Sequence, residues 1–395
     1  MSNHTQHRDL ADRVTSIRKR RRLTQEELAT RSRLSPSYVS KLEGRDPSCR
    51  NPRLATLRRL AEALGVTTSV LQGNDPGDAD TADAPTLDLW GPVRHALAAP
   101  PAPAEGEQPT AAEVRTELRR LQRLMAAHQY AEMAAAAPAL LRDSAAADDR
   151  ALRSSALAMV GWLLVQNRQW ADAAIVLDQA VDAADDEVLA AGAINTRVWS
   201  EIRQGNLGDA RALATTWADR IEPRFSRATM SGLAVWGQLW LYIAAIAVRD
   251  NREHERDDAL GLARAAAARI GREFLPEAAT TRVFGPTTVE YIAAETAAMS
   301  EQPALALALA ERTPPALLLP TAAGRLRHRL DMASAHAQLG QWSEATGELA
   351  SVAAMAPEWI AQQRYARDVV GVMVGRRRTL TDEMRKLAEL VRLEP

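Results

Sequence analysis

The chain has 395 residues, 46% hydrophobic and 25% charged, with a formal net charge of −1. That length holds two or three domains or one long repeat array, and the composition is that of a soluble globular protein, which excludes collagenous, disulfide-rich and wholly disordered classes. Its single cysteine, Cys49, excludes an intrachain disulfide and fits a reducing cytosol.

The near-zero charge hides a split. Residues 1–73 hold 15 Lys+Arg against 7 Asp+Glu, while residues 74–395 hold 34 against 43. A basic head on an acidic body points to a polyanion partner for the head alone. The N-terminus is polar and basic without an apolar core, so no secretory signal is expected. Cys49 reads as a bystander thiol in a loop rather than a redox sensor.

In chain order, residues 9–72 predict five short helices. The first covers about Asp9–Arg22, with Leu10, Val14 and Ile17 on one face. Thr24 caps the second, and Glu27 three residues on completes a capping box. Ser35 caps the third, with Pro36 at the first helical position, where its missing N–H costs nothing. Asn51-Pro52 opens the fourth, whose Leu54, Leu57, Leu60, Ala61 and Leu64 form an apolar stripe ended by Gly65. Thr67 to Leu71 makes a last turn. Residues 74–110 have linker composition, but Leu87 to Leu97, around Trp90, holds enough apolar side chains for a short docking segment.

From Ala111 onward the pattern is Ala-rich helices in pairs, with no strand signal. A spacing recurs. Gly161 is followed by Trp170, Ala173 and Ala180; Ala333 by Trp342 and Ala345; and Gly205 to Ala210 is a degenerate copy. Small residues at these places let antiparallel helices approach closely, and such units bury their faces only by stacking. Six pairs are expected, with junctions near 130, 169, 206, 251, 301 and 341, then a terminal helix near 380–393. The uncharged run Ala228–Val248 is long enough for a bilayer, but amphipathic neighbours make it a buried central helix.

On the third helix, burying Val39 and Leu42 turns Pro36, Ser37, Ser40 and Lys41 outward, with Tyr38 at the margin. Lys41 can donate to guanine O6 and N7, the serines suit donor or acceptor edges, and Pro36 can touch a thymine methyl. Gln25 is expected to point at the phosphate backbone. Arg45, Arg50, Arg53 and the Arg18–Arg22 cluster are candidate phosphate contacts, giving affinity and salt dependence without sequence choice. On these residues, from Thr24-Gln-Glu-Glu-Leu-Ala to Ser37-Tyr-Val-Ser-Lys-Leu-Glu, the head resembles the XRE (lambda repressor and Cro-like) helix-turn-helix family. The loop from Arg45 to Asn51 is longer than is usual there. The remainder resembles the tetratricopeptide-type (TPR) domain of XRE regulators from high-GC Gram-positive bacteria, through Gln341 to Ala345, Gln169 to Ala173 and Phe284-Gly-Pro-Thr. The resemblance implies a homodimer and a concave effector-binding face, as in related peptide-pheromone receptors.

First helices of each pair would line that face. Candidates there are Asn195, Arg197 and Trp199; Trp236, Gln238, Trp240 and Tyr242; Arg282, Thr287 and Tyr291; Arg325 and Arg329; then Arg364 and Tyr365. A mid-helix Asn can hold a peptide backbone, and Trp and Arg can stack and pair with a ligand. No catalytic constellation, metal set or cofactor motif stands out, since His328 and His336 lack a third ligand. The expected fold is all-α: a five-helix lambda-repressor-like domain (1–73), a linker with a docking segment (74–110) and a TPR-like α-solenoid (111–395). The expected function is a cytoplasmic, nucleoid-associated transcription regulator, not an enzyme and not membrane-bound. It would bind a palindromic operator in double-stranded DNA as a homodimer and sense a small molecule or peptide. The alternative is a constitutive DNA-binding scaffold whose array holds a protein partner without a ligand switch.

Overall fold

A computed structural model of the chain describes residues 10–21, 23–46, 49, 52, 54–64, 71, 90–98, 109–127, 129–276, 282–313, 322–361, 363–377 and 379–393. Among the described residues the secondary structure is helical, apart from one antiparallel bridge between Phe274 and Phe284.

The head contains α1 (Leu10–Arg20), α2 (Gln25–Ser32), α3 (Pro36–Glu43) and α4 (Leu54–Leu64). Its starts follow the expected local chemistry. Thr24 and Glu27 exchange the two bonds of a capping box, and Ser35 accepts from the Tyr38 N–H with Pro36 next in line. Val14, Leu28, Val39, Leu60 and Leu64 meet in one core. Cys49 is not a loop bystander: it is 3% exposed and belongs to that core. The expected fifth helix lies outside the described residues, except Leu71, which is fully buried and accepts from the Arg13 guanidinium at 2.8 Å.

The segment around Trp90 forms α5 (Gly91–Ala98). It docks within the same chain. Val93 is fully buried among residues of the array, and Arg94 reaches Asp172 at 3.5 Å.

Beyond it run α6 (Ala111–Ala126), α7 (Tyr130–Ala146), α8 (Arg150–Gln166), α9 (Trp170–Ala183), α10 (Glu187–Gln204) and α11 (Leu207–Arg220). These are followed by α12 (Met230–Arg249), α13 (Glu253–Ile270), α14 (Pro286–Met299), α15 (Pro303–Glu311), α16 (Ala322–Gln338) and α17 (Trp342–Met355). The chain then folds into α18 (Pro357–Ala361), α19 (Arg364–Arg376) and α20 (Asp382–Leu390). The six junctions fall where the spacing predicts, and one backbone device makes all six. The first N–H beyond each turn donates to the carbonyl five residues back: Gln129 to Leu124, Gln169 to Leu164, Asn206 to Glu201, Arg252 to Ala247, Gln302 to Ala297 and Gln341 to His336, at 2.8–3.0 Å. This bond closes a helix whose following residue turns left-handed. Arg168, Gly205, Asn251, Glu301 and Gly340 all have φ between 58° and 85°. Only two of those five are glycine, so the turn is a repeated tertiary feature that the sequence marks unevenly.

Each pair packs against the next, and the first helices also touch in succession: α6, α8, α10, α12, α14, α16 and α19 form one continuous row. Among the described residues the second helices make substantial contact in succession only at α17–α20, so the stack curves with the first helices inside. Small residues make the close approach possible. A Cβ on Gly161 would lie 2.5 Å from Leu177 across the α8–α9 pair, and one on Gly237 would lie 2.2 Å from the Phe284 ring. The core is continuous through α6–α14 and again through α16–α20. Between them lies a small patch of alanines around Ala306 and Met332. Helix α12 is long and apolar enough to cross a bilayer, but 89% of its apolar window is buried within the protein.

Gly161→Ala and Gly237→Ala are each expected to destabilise the array by about 1–3 kcal/mol through overpacking. Gly261→Ala, where an added Cβ meets nothing within 4 Å, should stabilise α13 by about 0.5–1 kcal/mol. Chemical denaturation followed by circular dichroism separates the two outcomes.

Candidate functional site

Two groups of residues stand out: one face of the head, and the polar centre of the inner helix row.

On α3, Val39 and Leu42 are buried while Pro36, Ser37, Ser40 and Lys41 are exposed and Tyr38 is half-buried. Burial pushes the Tyr38 phenol up, so it stays a neutral donor. The eight-residue helix therefore presents a short polar surface with one cation, backed by a rigid apolar side.

What fixes α3 is an ion pair that sequence spacing does not reveal. Arg18 of α1 donates from Nε and Nη2 to the two oxygens of Glu43 at the end of α3, at 2.6 and 2.8 Å. The Gln25 amide donates to the same carboxylate at 2.7 Å. The Arg18 and Glu43 side chains are 11% and 5% exposed. Burial pushes the Glu43 carboxyl up, and the Arg18 and Gln25 hydrogen bonds outweigh it, leaving the group below the usual carboxylate range. Arg18 and Gln25 thus hold the end of α3 through one carboxylate. Arg45 remains exposed and pairs with Asp12 at 2.7 Å. Arg50 and Arg53 lie outside the described residues.

The inner row carries a second grouping. On α10, Asn195, Trp199 and Arg203 are spaced by four and share a face. Asn195 donates to the Val235 carbonyl of α12 at 3.2 Å. Trp199 stacks on Tyr242 of α12, with ring centroids 6.2 Å apart and planes at 25°. Arg282, just before α14, lies over both rings, 5.1 Å from Trp199 and 5.4 Å from Tyr242. Gln238 is buried on the Tyr242 side of α12. Trp240, two residues from Tyr242 and therefore about 200° around the helix, meets Trp236 edge-on. Trp236 is fixed by its bond to the Ala218 carbonyl. The expected grouping of both tryptophans with Tyr242 is corrected accordingly: Trp236 turns to Ala218 of α11, with Trp240 beside it.

The remaining candidates divide the same way. Arg197 pairs with Glu201 at 3.2 Å and Asp178 at 3.8 Å. Thr287 offers its N–H to Glu273, which also accepts from the Thr288 hydroxyl at 2.6 Å, so the N-terminus of α14 is already satisfied. Gly285 is required there, because a Cβ would sit 2.5 Å from the Arg272 carbonyl and the Glu273 carboxylate. Tyr291 stacks on His328 at 3.9 Å and 13°, and burial holds that imidazole down to about 4, hence neutral. Arg325 is exposed, and Arg329 donates to Glu348 at 2.8 Å.

The residues that spacing missed lie between these. Glu295 of α14 sits 3.2 Å from Arg249 and 3.6 Å from Arg327. Arg327 reaches Asp331 at 3.4 Å and lies over the Tyr365 ring at 4.2 Å. Burial pushes Asp331 up to about 7 against the pull of Arg327. Burial also raises Glu295, but Arg327 and Arg249 outweigh it and hold that carboxylate low. Arg203 donates to the Val165 carbonyl at 2.8 Å and stands over Trp170. Burial first, then Arg168, bring its guanidinium down to about 10. The four-residue steps Trp199–Arg203 and Arg327–Asp331 were available signals for two of these residues.

With this geometry in place, comparison with known proteins adds the following. Residues 15–71 match the helix-turn-helix family. A stretch of 66 residues is 42% identical to the immunity repressor protein of Bacillus phage phi105, covering 17% of this chain and 44% of that protein. The chain thus spans less than half the length of this relative. No solved structure matches it.

The Arg18–Glu43 pair gives two expectations. Glu43→Ala leaves the part-buried Arg18 guanidinium with only the Leu23 carbonyl and should cost the head about 1–3 kcal/mol, read as lost amide-exchange protection in α1–α3 while α8–α13 are unchanged. Because the Glu43 pKa is lowered on folding, its contribution is full above the unfolded carboxyl value of about 4.3 and fades as pH falls through the lower folded value. Protection of α3 should therefore be flat from pH 7 to 5 and decline below about pH 4.

Proposed function

We propose that the protein is a sequence-specific DNA-binding transcription regulator. The head inserts α3 in the major groove, and the helical array, TPR-like in organisation, joins two chains into a homodimer and senses a small molecule or peptide. The observation that carries this reading is the polar face of α3, with Pro36, Ser37, Ser40 and Lys41 outward, inside the segment that matches the helix-turn-helix family. The family name and the repressor relative support binding to double-stranded DNA. The net positive charge of residues 1–73 supports it independently, since phosphate neutralisation dominates such affinity.

In this reading Lys41, Ser37 and Ser40 reach base edges, and the cations Arg45, Arg50 and Arg53 meet phosphates. Tyr38 borders the contact. A homodimer places two α3 helices about one duplex turn apart, so the operator is an inverted repeat. Effector binding in the array changes the spacing or freedom of the two heads. The protein acts in the cytoplasm at the nucleoid.

The deciding experiment is selection of bound sequences from a random DNA library with the full chain and with residues 1–73. An inverted repeat bound tightly only by the full chain is expected. No enriched motif in either sample would overturn the reading. With the selected operator in hand, Lys41→Ala should lose about 1–3 kcal/mol of affinity and relax the preference at one position, measured by fluorescence anisotropy. Arg45→Ala should weaken all sequences alike and lower the slope of log affinity against log salt by about 1.

A further inference from the structure

The inner row has more positive charge than its own carboxylates neutralise. Four guanidinium groups converge there, from Arg203, Arg249, Arg282 and Arg327. Glu295 is shared by Arg249 and Arg327, and Asp331 serves Arg327. Neither Arg203 nor Arg282 has a carboxylate partner among the described residues. Arg203 has at least a backbone carbonyl. Arg282 has only ring faces: its Nε is buried without an acceptor, and its terminal nitrogens hold none among the described residues.

The rings beneath it point the same way. The Trp199 indole N–H is buried without a hydrogen-bond partner, and the Tyr242 hydroxyl, buried beside it, is approached by the Gln238 side chain. Buried polar groups are normally satisfied, and each exception needs a reason. Here donors lack acceptors, on one face, around a cation held flat on an aromatic platform. The Arg282 Nε is closed off from water while the residue as a whole is half-buried, and an acceptor-rich anion on its open side would meet both the charge and the idle donors.

We propose that the inner row between α10 and α16 binds a small acidic molecule, with a carboxylate or phosphate oxyanion seated on the outward nitrogens of Arg282 and the field of Arg203 and Arg327 around it. The proposal rests on the reading of the array as a sensor and names the chemical class sensed. Arg197, Thr287, Arg325 and Arg329 stand outside this site; the first, second and fourth are held by other groups, and Arg325 is exposed.

The test uses the full chain in low-salt chloride buffer. Thermal unfolding is followed by tryptophan emission with added benzoate or inorganic phosphate, against benzamide and extra sodium chloride at matched ionic strength. At ten times its dissociation constant either oxyanion should raise the midpoint by about 2–4 °C over both controls. A rise with benzoate alone marks a carboxylate ligand, and one with phosphate alone marks a phosphate ligand. Arg282→Gln should abolish the rise and, without oxyanion, unfold at or above the wild-type midpoint, because it removes an unpaired cation. No rise with either oxyanion overturns the proposal, as does a rise that survives in Arg282→Gln. An Arg282→Gln chain melting well below wild type assigns Arg282 to packing on the rings and also overturns it. Anisotropy with the selected operator separates the two readings. Oxyanion stabilisation with unchanged operator affinity sinks the sensor and keeps the site.

Discussion

The close approach of paired helices governs the rest of the molecule. Where Gly161 faces Leu177 and Gly237 faces Phe284, no room exists for even one more carbon. At that distance the first helix of each pair also reaches the first helix of the next, and an inner row forms. A row of helices touching on both sides has few positions facing open space. The polar side chains placed there are forced on one another, which is why Glu295, Arg249, Arg327 and Asp331 form a network instead of a scatter of surface charges.

The head obeys a different constraint. With only eight residues in α2 and eight in α3, neither helix is stable alone. Their positions depend on the shared core and on Glu43, which gathers Arg18 and Gln25 at one point. A short helix held at its far end by a bidentate ion pair keeps its N-terminal turn fixed without spending any of that turn's exposed side chains.

Much of this was legible in the sequence because it is written locally. The caps at Thr24 and Ser35, the exposed face of α3 and all six pair junctions depend on residues within a few positions of one another. The docking of α5 was foreseen as a segment, but its partners Asp172 and Gln169 were not, since they lie on a distant helix. The inner site was read only in part for the same reason. Asn195, Trp199 and Arg282 were singled out by residue type. Trp240 and Tyr242 are near neighbours in sequence, but a two-residue step crosses a helix. Nothing near Gln25 in sequence announces its bond to Glu43. Arg203 and Arg327 look like ordinary surface arginines until the row of first helices closes over them.

The patch of alanines around Ala306, between the two larger cores, has a mechanical meaning. Small side chains interdigitate shallowly, so sliding α14 and α15 against α16 disturbs little packing. The stiff parts of the array on either side are joined by a thin apolar seam and by the Glu295–Arg327 contact that crosses it. The Glu295–Arg327 ion pair thus ties the two sides together where the packed side chains are mostly alanines, so that one charged contact does there what larger apolar side chains do elsewhere in the stack.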